Sequence, residues 1–273
     1  MAYWLDKWTT PNHIEYEFKY AGNYGAKGET RQKKQKATPE QIKKQNQLNR
    51  EKKILRLIRA NFFLEDLWVT LKYPRGTRKP LEEVKKDFKK FQTEMRRAYK
   101  NRGQPFKYIY RIEIGKRGGI HIHVILNRLE GGDTDLVVRA AWTGKRVDWT
   151  TLREEGGFEP LANYIVKEPG EEMEGQMSLF SEDEQKQLCS YNTSRNLIRP
   201  VPERKTYKRR TLRQLIEQGA KATPGFYIVP ESIRRGVNRY TGMSYYRYTE
   251  CRIRQIETRA EWNAWMENGG RDG

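Results

Sequence analysis

The chain carries two kinds of hydrophobic pattern, a period of two in short stretches and a helical period in longer ones. Residues 13–20, reading His13-Ile14-Glu15-Tyr16-Glu17-Phe18-Lys19-Tyr20, alternate and predict a strand. Thr38-Pro39-Glu40-Gln41 has the chemistry of a capping box, so a helix is expected from about 39 to 61, apolar near its end at Ile54, Leu55, Leu57 and Ile58. Leu67 to Tyr73 reads as a strand. Pro80 to Lys100 reads as a helix, with Leu81, Val84, Phe88, Phe91 and Met95 at helical spacing and therefore core. Residues 106–127 form a hairpin: in its first arm Phe106, Tyr108, Tyr110, Ile112 and Ile114 share one face, and Lys107, Arg111 and Glu113 the other. A short helix over Leu136 to Trp142, a strand over Arg146 to Trp149 and a helix around Tyr164 follow. The expected fold class is α+β, a central antiparallel sheet with flanking helices, over residues 61–200. Residues 1–60 and 201–273 are basic extensions, the second a candidate for reading duplex DNA.

Composition narrows the partners. Lys and Arg number 54 against 35 Asp and Glu, a net charge of +19, which points most simply to a polyanion. No apolar run approaches membrane-spanning length and no signal peptide opens the sequence, so no membrane association is expected. Two cysteines, Cys189 and Cys251, make no disulfide framework and suggest a reducing cytoplasm. Tyrosine and tryptophan interleave with Arg and Lys, a mixture suited to stacking on unpaired bases.

The chemistry concentrates in two places. The chain has three histidines, and two of them, His121 and His123, sit one residue apart in the apolar run Ile120 to Leu126. On a strand they point the same way, which is half of a metal site. The connector Gly115-Lys116-Arg117-Gly118-Gly119 has hairpin composition. If the paired residue numbers sum to an even value, Glu113 falls opposite His121 or His123 and joins them on one face. Two imidazoles and a carboxylate suit Mn²⁺ or Mg²⁺, and can also hold Zn²⁺. The second place is Phe158 to Gly170. Pro160 fits a helix start and Pro169-Gly170 a stop, and Tyr164 and Lys167 share a helix face. A phenol is a weak nucleophile until a cation stabilises its anion or a metal activates its target. On its own, Tyr-x-x-Lys more commonly means a buried tyrosine beside a snorkelling lysine. Its position after the histidine pair is what makes it a candidate site.

These residues together resemble the HUH endonuclease superfamily, specifically rolling-circle replication initiators with one catalytic tyrosine. The resemblance rests on His121-Ile122-His123, on Tyr164 to Lys167, on Glu113 as the acidic ligand, and on Thr70-Leu71-Lys72-Tyr73-Pro74. Leu136 to Gly144 and Ser194-Arg195-Asn196-Leu197 bring it nearest to replication proteins of small bacterial phages and phage-like plasmids, filamentous-phage gene II proteins among them. It covers roughly residues 60–200. It implies a nicking and joining enzyme for single-stranded origin DNA or an origin hairpin, with His121, His123 and Glu113 on a divalent metal, Tyr164 as nucleophile and Lys167 holding phosphate or phenolate. A 5′-phosphotyrosine and a free 3′-hydroxyl would result. Lys72, Tyr73, Arg111, Lys116, Arg117 and Arg195 are the expected DNA contacts. A mobilisation relaxase or single-strand transposase would use the same chemistry, and a non-catalytic nucleic-acid-binding regulator is the rival of another class. No Gly-x-x-x-x-Gly-Lys-Ser/Thr phosphate loop is present, so unwinding is expected from a host helicase.

Residues 168–186 form an acidic island, expected to be a solvated loop. Inside it Gln176-Met177-Ser178-Leu179-Phe180 resembles the bacterial sliding-clamp-binding peptide, with Gln176, Leu179 and Phe180 as the anchors; the other reading is a loop folded back on the core. Further on, Gly225 to Val229 and Ser244 to Tyr248 read as strands that either extend the core sheet or form a small lobe.

Overall fold

A computed structural model describes residues 2–22, 29–115, 118–155, 158–168, 178, 180–188, 190–208 and 211–268. In chain order, β1 (Tyr3–Thr9) and β2 (His13–Tyr20) precede α1 (Pro39–Arg59) and β3 (Leu67–Lys72). Then come α2 (Leu81–Lys100), β4 (Tyr108–Ile114), β5 (Ile120–Leu126), α3 (Thr134–Ala141) and β6 (Arg146–Thr151). They are followed by α4 (Phe158–Val166), α5 (Glu182–Leu188), β7 (Tyr191–Thr193), β8 (Glu203–Tyr207) and α6 (Arg213–Gln218). The last elements are β9 (Phe226–Ile228), a 3₁₀ turn (Pro230–Ser232), β10 (Arg234–Asn238), β11 (Met243–Arg252) and α7 (Arg259–Glu267). The fold is α+β with two antiparallel sheets. The chain divides into two compact units, Asn49–Ile198 and Met1–Leu48 with Arg199–Gly273.

The unit Asn49–Ile198 is built on a five-stranded sheet of order β6-β3-β5-β4-β7, with every neighbouring pair antiparallel. The histidine strand β5 is therefore central. It is buried on both sides, as its almost unbroken apolar sequence requires. One face carries Leu67, Val69, Leu71, Ile112, Ile122 and Val124 against α2, with Val138 of α3 and Leu188 of α5 in the same core. Helix α2 fits this place because Leu81, Val84, Phe88, Phe91, Met95 and Tyr99 all fall on one buried stripe. Acidic Glu82 and Glu83 in its first turn and basic Arg97 and Lys100 in its last complement the helix dipole. The other face carries Trp68, Ile109 and Ile125 against Leu161, Ala162, Ile165 and Val166 of α4, and against Ile54, Leu57 and Ile58.

In the unit of Met1–Leu48 with Arg199–Gly273, strands from the two ends of the sequence interleave. The sheet order is β10-β11-β2-β1-β8, with β9 beside β11. The single sheet with two extensions expected from the sequence is thus replaced by two sheets. The late strands neither extend the histidine sheet nor fold alone, since β11 pairs with β2 and β8 with β1. One face gathers Tyr3, Phe18, Tyr246 and Tyr248 around Leu212. On the other, the buried Asp6 receives two hydrogen bonds from Arg204, at 2.6 and 2.8 Å. The capping box at the start of α1 forms as expected: the Thr38 N–H donates to Gln41 Oε1 (3.1 Å) and the Gln41 N–H to Thr38 Oγ1 (3.3 Å).

The acidic stretch departs from its expectation in the part described. Ser181 Oγ accepts from the Glu184 N–H and donates to the Glu184 carboxylate, starting α5, and α5 packs along β4. Phe180 is half-buried against the core that also holds Leu188, the folded-back arrangement rather than a displayed anchor. Gln176 and Leu179 lie outside the described residues, as do Lys116, Arg117 and Cys189.

Phe91 is fully buried between α2 and the sheet. Phe91→Ala should lower the unfolding free energy by about 3–5 kcal/mol in a urea titration; a loss below about 1 kcal/mol would mean that α2 does not hold this sheet.

Candidate metal centre and tyrosine site

The site is set by the β4–β5 hairpin. Its register pairs Glu113 with His121 and Arg111 with His123, the even-sum alignment that puts the carboxylate and both imidazoles on one face. Five residues, 115–119, join the strands. The Gly115 N–H donates to Gly119 O (2.7 Å) and the Gly118 N–H to Gly115 O (2.8 Å), and Gly118 has φ +77°, a conformation that favours glycine. Gly115 serves a second purpose: a Cβ there would lie 3.2 Å from His121 Cε1 and 3.3 Å from Gly119 O. Its missing side chain lets the imidazole lie against the turn.

Glu113, His121 and His123 each offer one ligand atom, and the three atoms lie within 4.8 Å of one another. Glu113 Oε2 is 3.2 Å from His123 Nε2 and 3.9 Å from His121 Nε2. The other side of each ring is held. Thr70 Oγ1 lies 3.1 Å from His123 Nδ1, and the Gly119 backbone hydrogen-bonds to His121. Rings fixed through one nitrogen with the other turned to a shared carboxylate are the arrangement metal-ligating histidines adopt. The donor set, two imidazole nitrogens and a carboxylate oxygen, fits a divalent ion.

Tyr164 reaches the same point from α4. Its Oη donates to Glu113 Oε2 at 2.6 Å and lies 3.0 Å from His123 Nε2. Trp68 braces both partners, stacked on the His123 ring (5.1 Å, 8°) and edge-on to Tyr164 (5.6 Å, 86°). The C-terminal end of α4 is held by Arg111, whose buried guanidinium donates to the carbonyls of Tyr164, Ile165 and Lys167 at 3.2, 3.1 and 2.5 Å. A helix end leaves such carbonyls short of intrahelical partners, and the Tyr164 carbonyl here accepts from the Lys167 N–H as well.

Electrostatics separate the roles. Burial alone would raise the Glu113 pKa, but the hydrogen bonds from His123 and Tyr164 and the nearby positive charges outweigh it and bring it down to about 2. Burial, with the neighbouring His123, lowers His121 to about 4, so its ring is neutral at pH 7, the form that ligates. Tyr164 is pushed well above the usual phenol range by burial and by the Glu113 carboxylate. Its proton therefore stays on until something at the site stabilises the anion.

The sequence-predicted residues sort unevenly. Glu113, His121, His123 and Tyr164 converge. Lys72 flanks them: it pairs with His121 across β3–β5 and its ammonium contacts Asp148. Lys167 lies one residue beyond α4 with its side chain exposed, its N–H donating to Tyr164 O at 3.3 Å. Tyr73 is placed elsewhere. It packs in the α2 core and donates its hydroxyl to Asp87 (3.0 Å), because alternation along β3 turns it to the opposite face. Arg111 is likewise not a free phosphate contact, its guanidinium being buried on the α4 carbonyls. Arg195 is exposed at the far end of β4, beside Tyr108 rather than Glu113. Thr70, part of the run that carries the resemblance, and Trp68 are not assigned to the site by sequence; alternation with Lys72 puts them on the site face, but only the β3–β5 register shows which residues they meet.

Comparison with known proteins bears on this same stretch. Residues 66–169 match the model of a replication-associated protein family, that of ORF2 and the gene II protein. The match is a little over a third of the chain, lies within the unit Asn49–Ile198, and contains all four converging residues. No curated protein and no solved structure matches the chain. Among the described residues no helix is long and apolar enough to cross a membrane.

The depressed values of Glu113 and His121 contribute to the acid response of the metal-free protein. Both groups favour the folded state when deprotonated, so stability is present above the unfolded pKa and is lost as pH falls through the folded one. For His121 the window runs from 6.5 down to about 4, and for Glu113 from 4.5 down to about 2. Melting temperature in EDTA should fall from pH 7 to pH 4, and His121→Asn should flatten that part of the profile; parallel profiles would show that His121 is not desolvated as described.

Proposed function

We propose that the chain initiates replication by nicking and rejoining single-stranded DNA through Tyr164. The observation that carries this reading is the phenol itself, hydrogen-bonded at 2.6 Å to the carboxylate of a Glu-His-His cluster inside a stretch that resembles replication-associated proteins. A tyrosine kept only for packing has no need of a metal-type ligand set around its hydroxyl.

In this reading Glu113, His121 and His123 hold a divalent ion, which when bound would draw charge from the oxygens of the scissile phosphate. Tyr164 Oη attacks phosphorus. The new bond is O–P to the tyrosine and the broken one is P–O3′. The proton lost by the phenol is balanced by the one gained at the departing 3′ oxygen. The products are a 5′-phosphotyrosine and a 3′-hydroxyl able to prime synthesis, and reversal by another 3′-hydroxyl rejoins the strand. Trp68 and the Arg111-capped end of α4 fix the phenol, while Lys167 and Lys72 are candidate cations for phosphate. Strand separation falls to a helicase of the host. A relaxase or transposase would run the same step on other DNA, and the replication likeness of residues 66–169 favours initiation. A regulator without catalysis would share the basic charge but would form no covalent bond.

Covalent capture decides between them. Wild-type and Tyr164→Phe protein are mixed with single-stranded DNA from the parent replicon, with Mn²⁺ or with EDTA, and run on a denaturing gel. A metal-dependent shifted band is expected for the wild type, reduced about a thousandfold or more in the variant, which lacks the nucleophile, while DNA binding persists. An equal band from the variant would remove Tyr164 as nucleophile, and no band from either with DNA bound would favour the regulator.

A further inference from the structure

A second cationic site lies at the other end of β4, in the same unit. A groove of about 920 Å³ opens between the last turns of α2, the connector after it and residues 193–196. Arg96 and Lys100 enter it from α2, one helical turn apart, and Arg195 enters from the segment after β7. Gln104, Thr193 and Asn196 add polar groups, and among the described residues no carboxylate lines it. The groove sits by Tyr108, five residues along β4 from Glu113, which is about 16 Å at strand rise.

Its walls are fixed. Arg96 Nη2 donates to Tyr108 Oη at 3.1 Å. Ser194 is buried and locked to β4 in both directions: its N–H donates to Tyr108 O (2.9 Å) and its Oγ accepts from the Tyr108 N–H (3.1 Å). Asn196 Nδ2 donates to Phe106 O at 3.1 Å. Arg195 is therefore held between two anchored neighbours with its side chain exposed.

Several cations elsewhere on this unit are paired, Lys85 with Glu82, Arg97 with Glu94, Arg102 with Asp133 and Arg153 with Glu65. Arg96, Lys100 and Arg195 converge with no acid partner among the described residues. The helix dipole accounts for a lysine in the last turn of α2, but not for an arginine brought to the same place from a strand end. Phe106 and Tyr108 are buried beneath the groove, so no aromatic face is offered for base stacking. The ligand this chemistry suits is a run of phosphates.

We propose that this groove binds the phosphodiester backbone of the DNA strand at a distance from the scissile phosphate. The proposal rests on the nicking reading for its ligand but not for its residues, none of which belongs to the Tyr164 site. It gives the strand a second, sequence-independent hold.

The test is single-stranded DNA binding by fluorescence anisotropy across a salt series, using a labelled mixed-sequence 30-mer and the full chain. The variant is Arg96→Gln/Lys100→Gln/Arg195→Gln. The control, Lys85→Gln/Arg97→Gln/Arg153→Gln, removes the same charge from paired sites. Losing three phosphate contacts should reduce the slope of log affinity against log salt by about two and weaken binding roughly tenfold at moderate salt, with less than about a twofold change in the control. Equal losses in variant and control, or no loss in the variant, would overturn the groove and leave the nicking reading standing. Binding of dAMP to the wild type at the same concentration as the strand would reassign the groove to a mononucleotide and also overturn the proposal. A wild type that binds no strand would overturn the groove and the function together.

Discussion

The pairing of Glu113 with His121 across the β4–β5 hairpin is the contact from which the site follows. Side chains on a strand alternate with a period of two, so a slip of one residue would send Glu113 to the α2 core and bring Ile112 or Ile114 to the histidines. The odd, five-residue turn forbids that slip. It also places Gly119 to hold the His121 ring, and Gly115 leaves the space that ring needs. A backbone constraint thus becomes a chemical one: two nitrogens and one oxygen on a single point.

That point lies on the central strand and its neighbour β4, where the Glu113 and His121 side chains are about a fifth exposed, and this partial burial explains the electrostatics. Desolvation keeps His121 neutral and holds the proton on Tyr164, while hydrogen bonds from His123 and Tyr164 keep Glu113 ionised against the same desolvation. A neutral His121 and an ionised Glu113 are the ligand-competent forms of those two groups, so neither has to release a proton to take up an ion. The cost falls on the phenol, which in this arrangement lies between Glu113 and His123. Any ion on the three ligands must contend with that hydroxyl, so metal uptake and phenol position are coupled. Arg111 contributes from beneath by tying the end of α4 to the strand that bears Glu113.

Much of this was legible in the sequence because it is local. The hairpin's alternation and its glycine turn allow Glu113 to join the histidines in one of two register parities, and the capping box and apolar stripe place α1 and α2. What was not legible depends on pairing between distant segments. Thr70 and Trp68 reach His123 only through the β3–β5 register, and the same register turns Tyr73 into the core. Arg111 looked like a surface cation because it alternates with Glu113, yet α4 covers it. The interleaving of β11 with β2 and of β8 with β1 joins residues more than 180 apart, which no periodicity reveals. Phe180 packs against the core that holds Leu188, a contact its acidic surroundings in the sequence do not reveal.

The central claim is that Glu113, His121 and His123 form one ion site shared with the Tyr164 hydroxyl. Its most direct test is a Mn²⁺ titration of purified protein followed by electron paramagnetic resonance, comparing wild type with His121→Ala, Glu113→Ala and Tyr164→Phe. The account predicts one bound ion per chain with nitrogen ligands. Either ligand variant should lose it, and Tyr164→Phe should keep it at equal or higher affinity because the competing hydroxyl is gone. Unchanged stoichiometry in the ligand variants, or no bound ion in the wild type, would contradict it.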